Sequence, residues 1–358
     1  GLDRFAQFFI APLMKREAMQ REREAVDSEF QMNLPSDECR KEQIFGSLAK
    51  REHPMTKFMW GNLSSLQMGQ LDDDEVHKKL KDFFVRHYTA QSMTLVVQAQ
   101  ETLETLEGFV LRSFSNVPNN QINKETFHTL SEPFKTEPSR FCKIYKMSPT
   151  GDVYHLVLTW SLPSLIDKYR SKPLHYLSYI IDHEGKGSLT SYLRQKVWAL
   201  YVWAGWSPRY GFDHNTTCSK FEINVLLTKS GHDNTDKVLL AISSYLKMLQ
   251  HSRPSSRIFE EIKQIDKLHF EFGPEVQPMD NVERLCEGMQ LYPSEHYLTG
   301  GELMFEFDAD LIKEVTEKLT ANDANIFILS KDYTNIVTKS EPWFKTKYID
   351  EELSLIHI

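Results

Sequence analysis

The sequence predicts an α+β protein in which mostly antiparallel sheets carry helices packed on them. Three observations predict this class. Long segments place apolar residues at helical spacing, short apolar runs rich in β-branched and aromatic residues are typical of strands, and a polar stretch at 118–140 divides the chain. The 358 residues suit about two domains. We therefore predict domains at 1–120 and 141–352, joined by a linker at 121–140.

The first domain is predicted to combine helices with a mostly antiparallel sheet, and to be incomplete. Residues 5–33 have a helical period that is interrupted near Pro12. Further helices are expected at 73–90 and at about 102–115. Between them, residues 92–99 (SMTLVVQA) are predicted to form a buried strand.

The second domain alternates strands with helices. Its predicted strands lie near 141–147, 153–161, 198–205, 219–228 and 325–330. Its predicted helices lie at about 171–182, 187–197, 232–250, 254–272, 278–291 and 307–319. Residues 183–187 (HEGKG) separate the first two helices, and glycine suits a turn there because it adopts positive φ without strain. The mixture of strands and helices favours an α+β layout.

Composition excludes several classes of function. The net charge of −8 argues against a nucleic-acid groove and an anionic membrane surface, and it suits basic peptide partners. A run of about 18 apolar residues is absent, so we expect no membrane insertion. The four cysteines lie far apart without a CxxC pair, which predicts free thiols in a reducing compartment.

Two acidic residues are unusual within the helix predicted over 15–33. At 100° per residue, Glu22 and Glu29 lie in the middle of an apolar face, seven residues apart. That face also carries Ala18, Met19, Ala25, Val26 and Phe30, and the opposite face carries Gln20, Arg23, Glu24 and Asp27. A carboxylate on an apolar face needs a cation, a metal or several donors to stay ionised. The alternatives are ion pairs with Arg or Lys of a neighbouring element, or a metal ligand with a supporting acid.

Residues 21–31 (REREAVDSEFQ) resemble the segment that supplies the third zinc ligand in the inverted-motif (HxxEH) zinc metallopeptidases, the family of nardilysin and insulin-degrading enzyme. Other segments that resemble this family are LDRFAQFFI at 2–10, IFGSLAKREHPMTKFMWGN at 44–62, SMTLVVQ at 92–98, HEGKGSLTSYL at 183–193 and EGMQLYP at 287–293. The resemblance implies two tandem metallopeptidase-type domains. The first of them would be incomplete, and the second would be of the inactive type.

The resemblance also implies a metal site. It places the zinc ligand at Glu29 and a supporting acid near the metal at Glu22. The family takes two histidine ligands and a general-base Glu from an HxxEH helix, which none of the 13 histidines here belongs to. We expect that helix upstream of Gly1 and the carboxy-terminal half beyond this chain. One Zn²⁺ would therefore need both histidines of the missing segment, and this chain alone is expected to be inactive.

A peptide-binding surface is implied in the second domain. In insulin-degrading relatives, the region that corresponds to the turn at 183–187 and the next strand hold the amino terminus of a substrate. The corresponding positions are His175, Ser178, Tyr179, Asp182, Glu184, Val202 and Ala204. Three of them depart from the family, because Tyr179 replaces a His while Asp182 and Ala204 each replace a Gly. The alternative for 183–187 is a simple turn between helices.

Glu42 is a further candidate for substrate binding. It matches a chamber-wall position that is aromatic in insulin-degrading relatives, and a carboxylate there would favour basic side chains. This agrees with the preference of nardilysin-like enzymes for basic, often dibasic, sites. The alternative is a solvated acidic segment that includes Asp37 and Glu38.

These observations predict a fragment of a zinc metalloendopeptidase that hydrolyses peptide bonds at basic or dibasic sites with zinc-activated water. The alternative is a non-catalytic module that binds peptides or partner proteins without a metal. Expected partners are basic peptide substrates and the missing segments of the same enzyme, and nucleic acid is not expected. We expect a cytoplasmic location, with non-classical export to the cell surface as an alternative. Residues 353–358 (LSLIHI) do not resemble the family and are expected to be a non-native tail.

Overall fold

The computed structural model describes residues 1–67, 69, 71–121, 127–137, 139–206 and 212–353. The chain forms two compact units. Unit 1 comprises Gly1–Asn33, Trp60–Thr126 and Gly273–Gly301, and unit 2 comprises Leu34–Met59, Phe127–Phe272 and Glu302–Ile358. The units interleave along the sequence and therefore do not follow the predicted division at 121–140. A compact unit of the fold need not coincide with a domain of a protein family, so the division at 121–140 stays a prediction.

The helices account for most of the regular structure. In chain order they are α1 (Leu2–Ile10), α2 (Arg16–Asn33), α3 (Asp37–Ser47), α4 (Leu63–Leu66), α5 (Asp73–His87), α6 (Leu103–Phe114), α7 (Pro173–Asp182), α8 (Leu189–Gln195), α9 (Lys229–His232), α10 (Thr235–His251), α11 (Ser256–Phe272), α12 (Pro278–Leu291) and α13 (Ala309–Glu317). Polar caps define where several of them begin. The Asp72 carboxylate accepts the N–H of Glu75, and the Glu75 carboxylate accepts the N–H of Asp72. Two main-chain donors at the start of α5 are thereby satisfied.

The strands of the described residues form one sheet, which belongs to unit 2. They are β1 (Lys143–Met147), β2 (His155–Leu162), β3 (Ala199–Gly205), β4 (Ser219–Leu227), β5 (Asn325–Leu329), β6 (Lys339–Ser340) and β7 (Lys347–Glu352). The spatial order is β3-β4-β2-β5-β1-β7-β6. Among the described strands, only β1 and β5 pair in parallel, and the other neighbours are antiparallel. The predicted α+β class with a mostly antiparallel sheet is confirmed.

Both faces of this sheet are covered. Leu156, Leu158 and Trp160 of β2 point to a core formed with α7, α8, α10, α11 and α13. Val157 points to the other face, where Phe45 of α3 packs in a second cluster. Burial of each such side chain stabilises the fold by about 1.5–3 kcal/mol. Alternation of side chains along the strands thus produces a helix–sheet–helix arrangement within unit 2.

The predicted strand at 92–99 is wrong. The described part of unit 1 is helical, and residues 93–99 pair with no strand there. Apolar, β-branched sequence favours extended backbone, but a strand forms only when a neighbour satisfies its N–H and C=O groups. Across the described residues, no helix has the length and apolarity to cross a bilayer.

Candidate functional site

Helix α2 carries the proposed metal ligand, and its inward side differs from the predicted one. Arg23 and Phe30 are the buried residues of this helix, with exposures of 7% and 3%. Arg23 Nη1 lies 2.7 Å from Asp73 Oδ1 of α5. Asp27 Oδ1 accepts the N–H of Leu63 at 2.9 Å. The inward stripe is therefore centred on Arg23 and Phe30, and the placement of Arg23 on the polar face was wrong.

Glu22 and Glu29 are both exposed, so the prediction that they project inward is wrong within unit 1. The Glu22 side chain is 64% exposed and accepts hydrogen bonds from its neighbour Arg21. The Glu29 carboxylate has no hydrogen bond or ion pair among the described residues, and only its carbonyl accepts a bond, from Asn33. The periodicity gave the wrong face because Arg23, a residue type that is rarely buried, is buried here with its charge neutralised by Asp73.

An apolar groove of about 1180 Å³ lies beside Glu22 in unit 1. Residues of α1, α2 and α5 line it, and Phe8 and Phe83 on its walls are 66% and 56% exposed. His77 also lines the groove, and its Nε2 lies 2.6 Å from the carbonyl of Met14. Glu29 is outside this groove. Over the residues that the structure describes, no three His, Cys, Asp or Glu side chains are grouped so as to hold a metal ion.

Glu42 lies on α3, so the acidic segment at 37–42 is a helix rather than a loop. Ser36 caps this helix by accepting the N–H of Cys39, and the Asp37 carboxylate accepts the N–H groups of Thr150 and Gly151. Glu42 is half-buried. Burial raises its pKa to about 7 although the nearby Lys220 opposes the shift.

A buried charge cluster, which sequence reasoning missed, joins α3 to the sheet. It consists of Lys41, Asp213, Lys220 and Glu222, whose side chains are 2–6% exposed. Glu222 lies 3.3 Å from both lysines, and Lys220 lies 2.5 Å from Asp213. Burial opposes ionisation of Glu222, yet the two lysines and the hydroxyl of Thr159 hold its pKa well below the usual range. The polar residues at alternate positions of β4 were the available signal.

The proposed peptide-binding residues cluster on α7, the following turn and β3. Their polar side chains already have partners within unit 2. His175 Nε2 lies 3.1 Å from both carboxylate oxygens of Asp266, and the Tyr179 hydroxyl donates to Glu261 at 2.8 Å. The Ser178 hydroxyl donates to the carbonyl of residue 174 on its own helix.

The remaining positions of this set lie along the edge of β3. The Asp182 carboxylate accepts the N–H of Ala204, and burial raises the pKa of Asp182 to about 6. Glu184 lies 2.9 Å from Arg194 Nη2, and Val202 is buried. The structure therefore brings these residues together on α7, the following turn and β3. All four cysteines are free.

Comparison with known families gives two matches along the chain. A family model described as "Peptidase M16 inactive domain" matches residues 75–265, and one described as "Middle or third domain of peptidase_M16" matches residues 270–356. The first match covers more than half of the chain.

Individual relatives agree with these matches. Nardilysin of Rattus norvegicus is 45% identical over 99% of this chain and 30% of its own length, and insulin-degrading enzyme of Drosophila melanogaster is 35% identical over 97% and 34%. The chain thus spans about a third of the length of these curated relatives.

Among solved structures, pitrilysin aligns with a TM-score of 0.89 and 26% identity, over 99% of this chain and 37% of that chain. A protease from Helicobacter pylori, at 15% identity and a TM-score of 0.65 over 92% and 76%, shares the fold. The resemblance seen in the sequence is confirmed. The chain belongs to the peptidase M16 family.

Proposed function

We propose that this chain is part of a nardilysin-like zinc metalloendopeptidase that hydrolyses peptide bonds at basic or dibasic sites. The observation that carries the proposal is the 45% identity to nardilysin over 99% of the chain, a span that includes α2. The chain supplies about a third of such a protein, so further segments would complete the active site.

Glu29 is the residue that this chain would contribute to the metal. Its exposed carboxylate, without a partner in the described part of unit 1, is available to a metal ion held by ligands of another segment. Metal binding requires that such a segment cover this side of α2, because one carboxylate cannot replace a three-ligand zinc site. When bound, zinc lowers the pKa of a water molecule and polarises the scissile carbonyl.

Glu22 would support the metal site from the same side of the helix. It is seven residues from Glu29, so the two side chains leave the helix in nearly the same direction, about two turns apart. Its hydrogen bonds with Arg21 hold a negative charge beside the groove. The two histidine ligands and the general base would come from an HxxEH helix outside this chain.

The preference for basic substrates is supported by the net charge of −8 and by the similarity to nardilysin. Glu42 is the proposed contact. The pKa of the Glu42 carboxyl lies near 7, so this group is only partly ionised at neutral pH. A cationic substrate side chain would stabilise the ionised form and bind to it.

A second candidate function is a peptide- or partner-binding module that works without a metal. The match to an inactive-domain family over residues 75–265 favours this alternative for the part that contains β3 and α7. The two candidates are compatible in a longer enzyme, where one domain binds the substrate that another cleaves.

The direct test uses a protein extended at its amino terminus with the upstream gene sequence and completed with the carboxy-terminal half. Hydrolysis of a fluorogenic peptide with a dibasic site is measured before and after Glu29→Gln. We expect loss of at least about 100-fold in kcat/KM, because a zinc ligand is removed. Glu24→Gln, an exposed acid on the same helix, is the matched control and should keep activity. Equal activity of the Glu29→Gln variant and the parent would exclude Glu29 as the ligand.

A further inference from the structure

β3 is an outer strand of the unit 2 sheet. Among the residues that the structure describes, it pairs with β4 along one side only. The outer side of such a strand presents main-chain N–H and C=O groups that can pair with another extended chain, and proteins commonly block this with charged side chains or bulges. The way in which this edge is blocked determines whether β3 can accept a peptide.

Two charged side chains bond to main-chain groups of this edge. The N–H of Ala204 donates to Asp182 Oδ1, and the carbonyl of Leu200 accepts from Arg194 Nε at 3.2 Å. Asp182 is the last residue of α7, and Arg194 belongs to α8. Two separate helices thus provide one acceptor and one donor, which are the groups that a neighbouring strand would provide.

The surroundings hold these side chains in place. Arg194 Nη2 lies 2.9 Å from Glu184, so the guanidinium contacts both this acid and the carbonyl of Leu200. Burial raises the pKa of Asp182 to about 6, even though its bond with the N–H of Ala204 opposes the shift. A carboxylate that loses hydration in this way is packed against the strand rather than extended into solvent.

The strand itself retains features that suit an added peptide. Its register with β4 shifts between Ala199 and Tyr201, which places a bulge at Leu200. The side chains of Leu200 and Tyr201 are 59% and 50% exposed. An extended peptide could bury these two side chains, provided that the charged groups move away from the edge.

We propose that Asp182 and Arg194 close the outer edge of β3, so that an extended peptide adds to this strand only after both side chains are displaced. The inference rests on the proposed peptide-binding surface and adds an autoinhibitory contact to it. The partner is a peptide recognised mainly through its main chain, with apolar side chains against Leu200 and Tyr201.

The test measures binding of a fluorescein-labelled probe to the full 358-residue chain by fluorescence anisotropy. The probe is a peptide of about ten residues that alternates Thr and Val between terminal lysines, because this pattern favours a single extended strand. The double variant Asp182→Ala/Arg194→Ala should bind at least about tenfold more tightly than the parent, since two competing edge bonds are gone. Asp182→Asn is the matched control, because its amide oxygen still accepts the N–H of Ala204, and it should bind like the parent.

Hydrogen exchange provides a second readout of the same edge. The amide of Ala204 should exchange faster in the double variant, while circular dichroism verifies that the variant is folded. If the double variant fails to fold, the single variants Asp182→Ala and Arg194→Ala replace it, each with an expected gain of about threefold.

Equal binding of the probe by the parent and by the double variant would overturn the proposal. A failure of both proteins to bind the probe would also overturn it. The proposal would likewise be overturned if sedimentation showed that the double variant self-associates and does not bind the probe. The edge of β3 would then pair with a second copy of the chain. None of these outcomes affects zinc content or hydrolysis in the extended protein, so a failure here is distinguishable from a failure of the proposed function.

Discussion

Lys41 Nζ lies 3.3 Å from a carboxylate oxygen of Glu222, and both side chains are almost completely removed from solvent. This pair connects α3 to the sheet of unit 2. Charges buried to this extent are tolerated because each has an oppositely charged neighbour, so removal of one member leaves the other without compensation.

Lys41→Met is therefore expected to lower the free energy of unfolding of unit 2 by about 3 kcal/mol. Glu222 keeps Lys220 as a partner but loses the second cation. Urea unfolding followed by tryptophan fluorescence measures the effect, because all of the six tryptophans except Trp60 lie in unit 2. Lys186→Met, at an exposed turn position, is the control and should leave the midpoint nearly unchanged. A Lys41→Met protein as stable as the parent would show that the pair contributes nothing net.

Glu42 should make the stability of unit 2 depend on pH. Its pKa in the folded state, about 7, lies above the unfolded value, because burial and the acids Glu38 and Asp213 raise it more than Lys220 and Lys41 lower it. The folded state therefore binds the proton more tightly. The associated stability is complete below about pH 4.5 and is lost as the pH rises through 7.

Glu42→Gln removes this dependence, since the amide does not ionise. We expect the variant to match the parent near pH 5 and to exceed its free energy of unfolding by about 2 kcal/mol at pH 8, a value reduced for partial exposure. Urea midpoints at pH 5, 6.5 and 8 measure the difference. The exposed Glu260→Gln on α11 is the control. A constant difference between Glu42→Gln and the parent at all three pH values would contradict the assigned cause.

The two sides of α2 should respond differently to mutation. Arg23→Ala is expected to lower the free energy of unfolding of unit 1 by about 2 kcal/mol, because Asp73 loses its buried partner. Glu29→Gln should change it by less than about 0.5 kcal/mol, because the side chain is exposed. Hydrogen exchange of α2 amides measures both. Destabilisation by Glu29→Gln comparable to that of Arg23→Ala would mean that the inward face is assigned incorrectly.

Sequence patterns predicted most of the fold because local chemistry determines many of its elements. The helical period of α5 and the short apolar run of β2 arise from residues within a few positions of each other. The segment 92–99 failed because strand formation depends on a partner. Helix α3 was missed because its inward residues include Lys41, whose burial depends on Glu222, 181 residues away.

The candidate site was predictable as a set of positions but not as an arrangement. Family resemblance placed Asp182 and Ala204 in one surface, and the structure brings them into direct contact. Helical periodicity placed Glu22 and Glu29 inward, whereas Arg23 takes that position because Asp73 neutralises it. Long-range pairing of charges leaves no periodic signal, so hydropathy alone could not reveal it.

The isolated chain should bind zinc weakly. The described residues offer no group of three suitable ligands, so a single exposed carboxylate would have to hold the metal. Zinc content after dialysis against low micromolar Zn²⁺ should be far below one ion per chain. Tight stoichiometric binding by the isolated chain would contradict the view that its ligands come from another segment.

Zinc stoichiometry of the extended protein tests the central claim most directly. Purified parent, Glu29→Gln and Glu24→Gln proteins, each carrying the upstream segment, are compared by inductively coupled plasma mass spectrometry. We predict about one zinc ion per molecule in the parent and in Glu24→Gln, and substantial loss in Glu29→Gln. Full zinc occupancy in Glu29→Gln, or an extended parent without zinc, would contradict the assignment of Glu29 as the ligand that this chain provides.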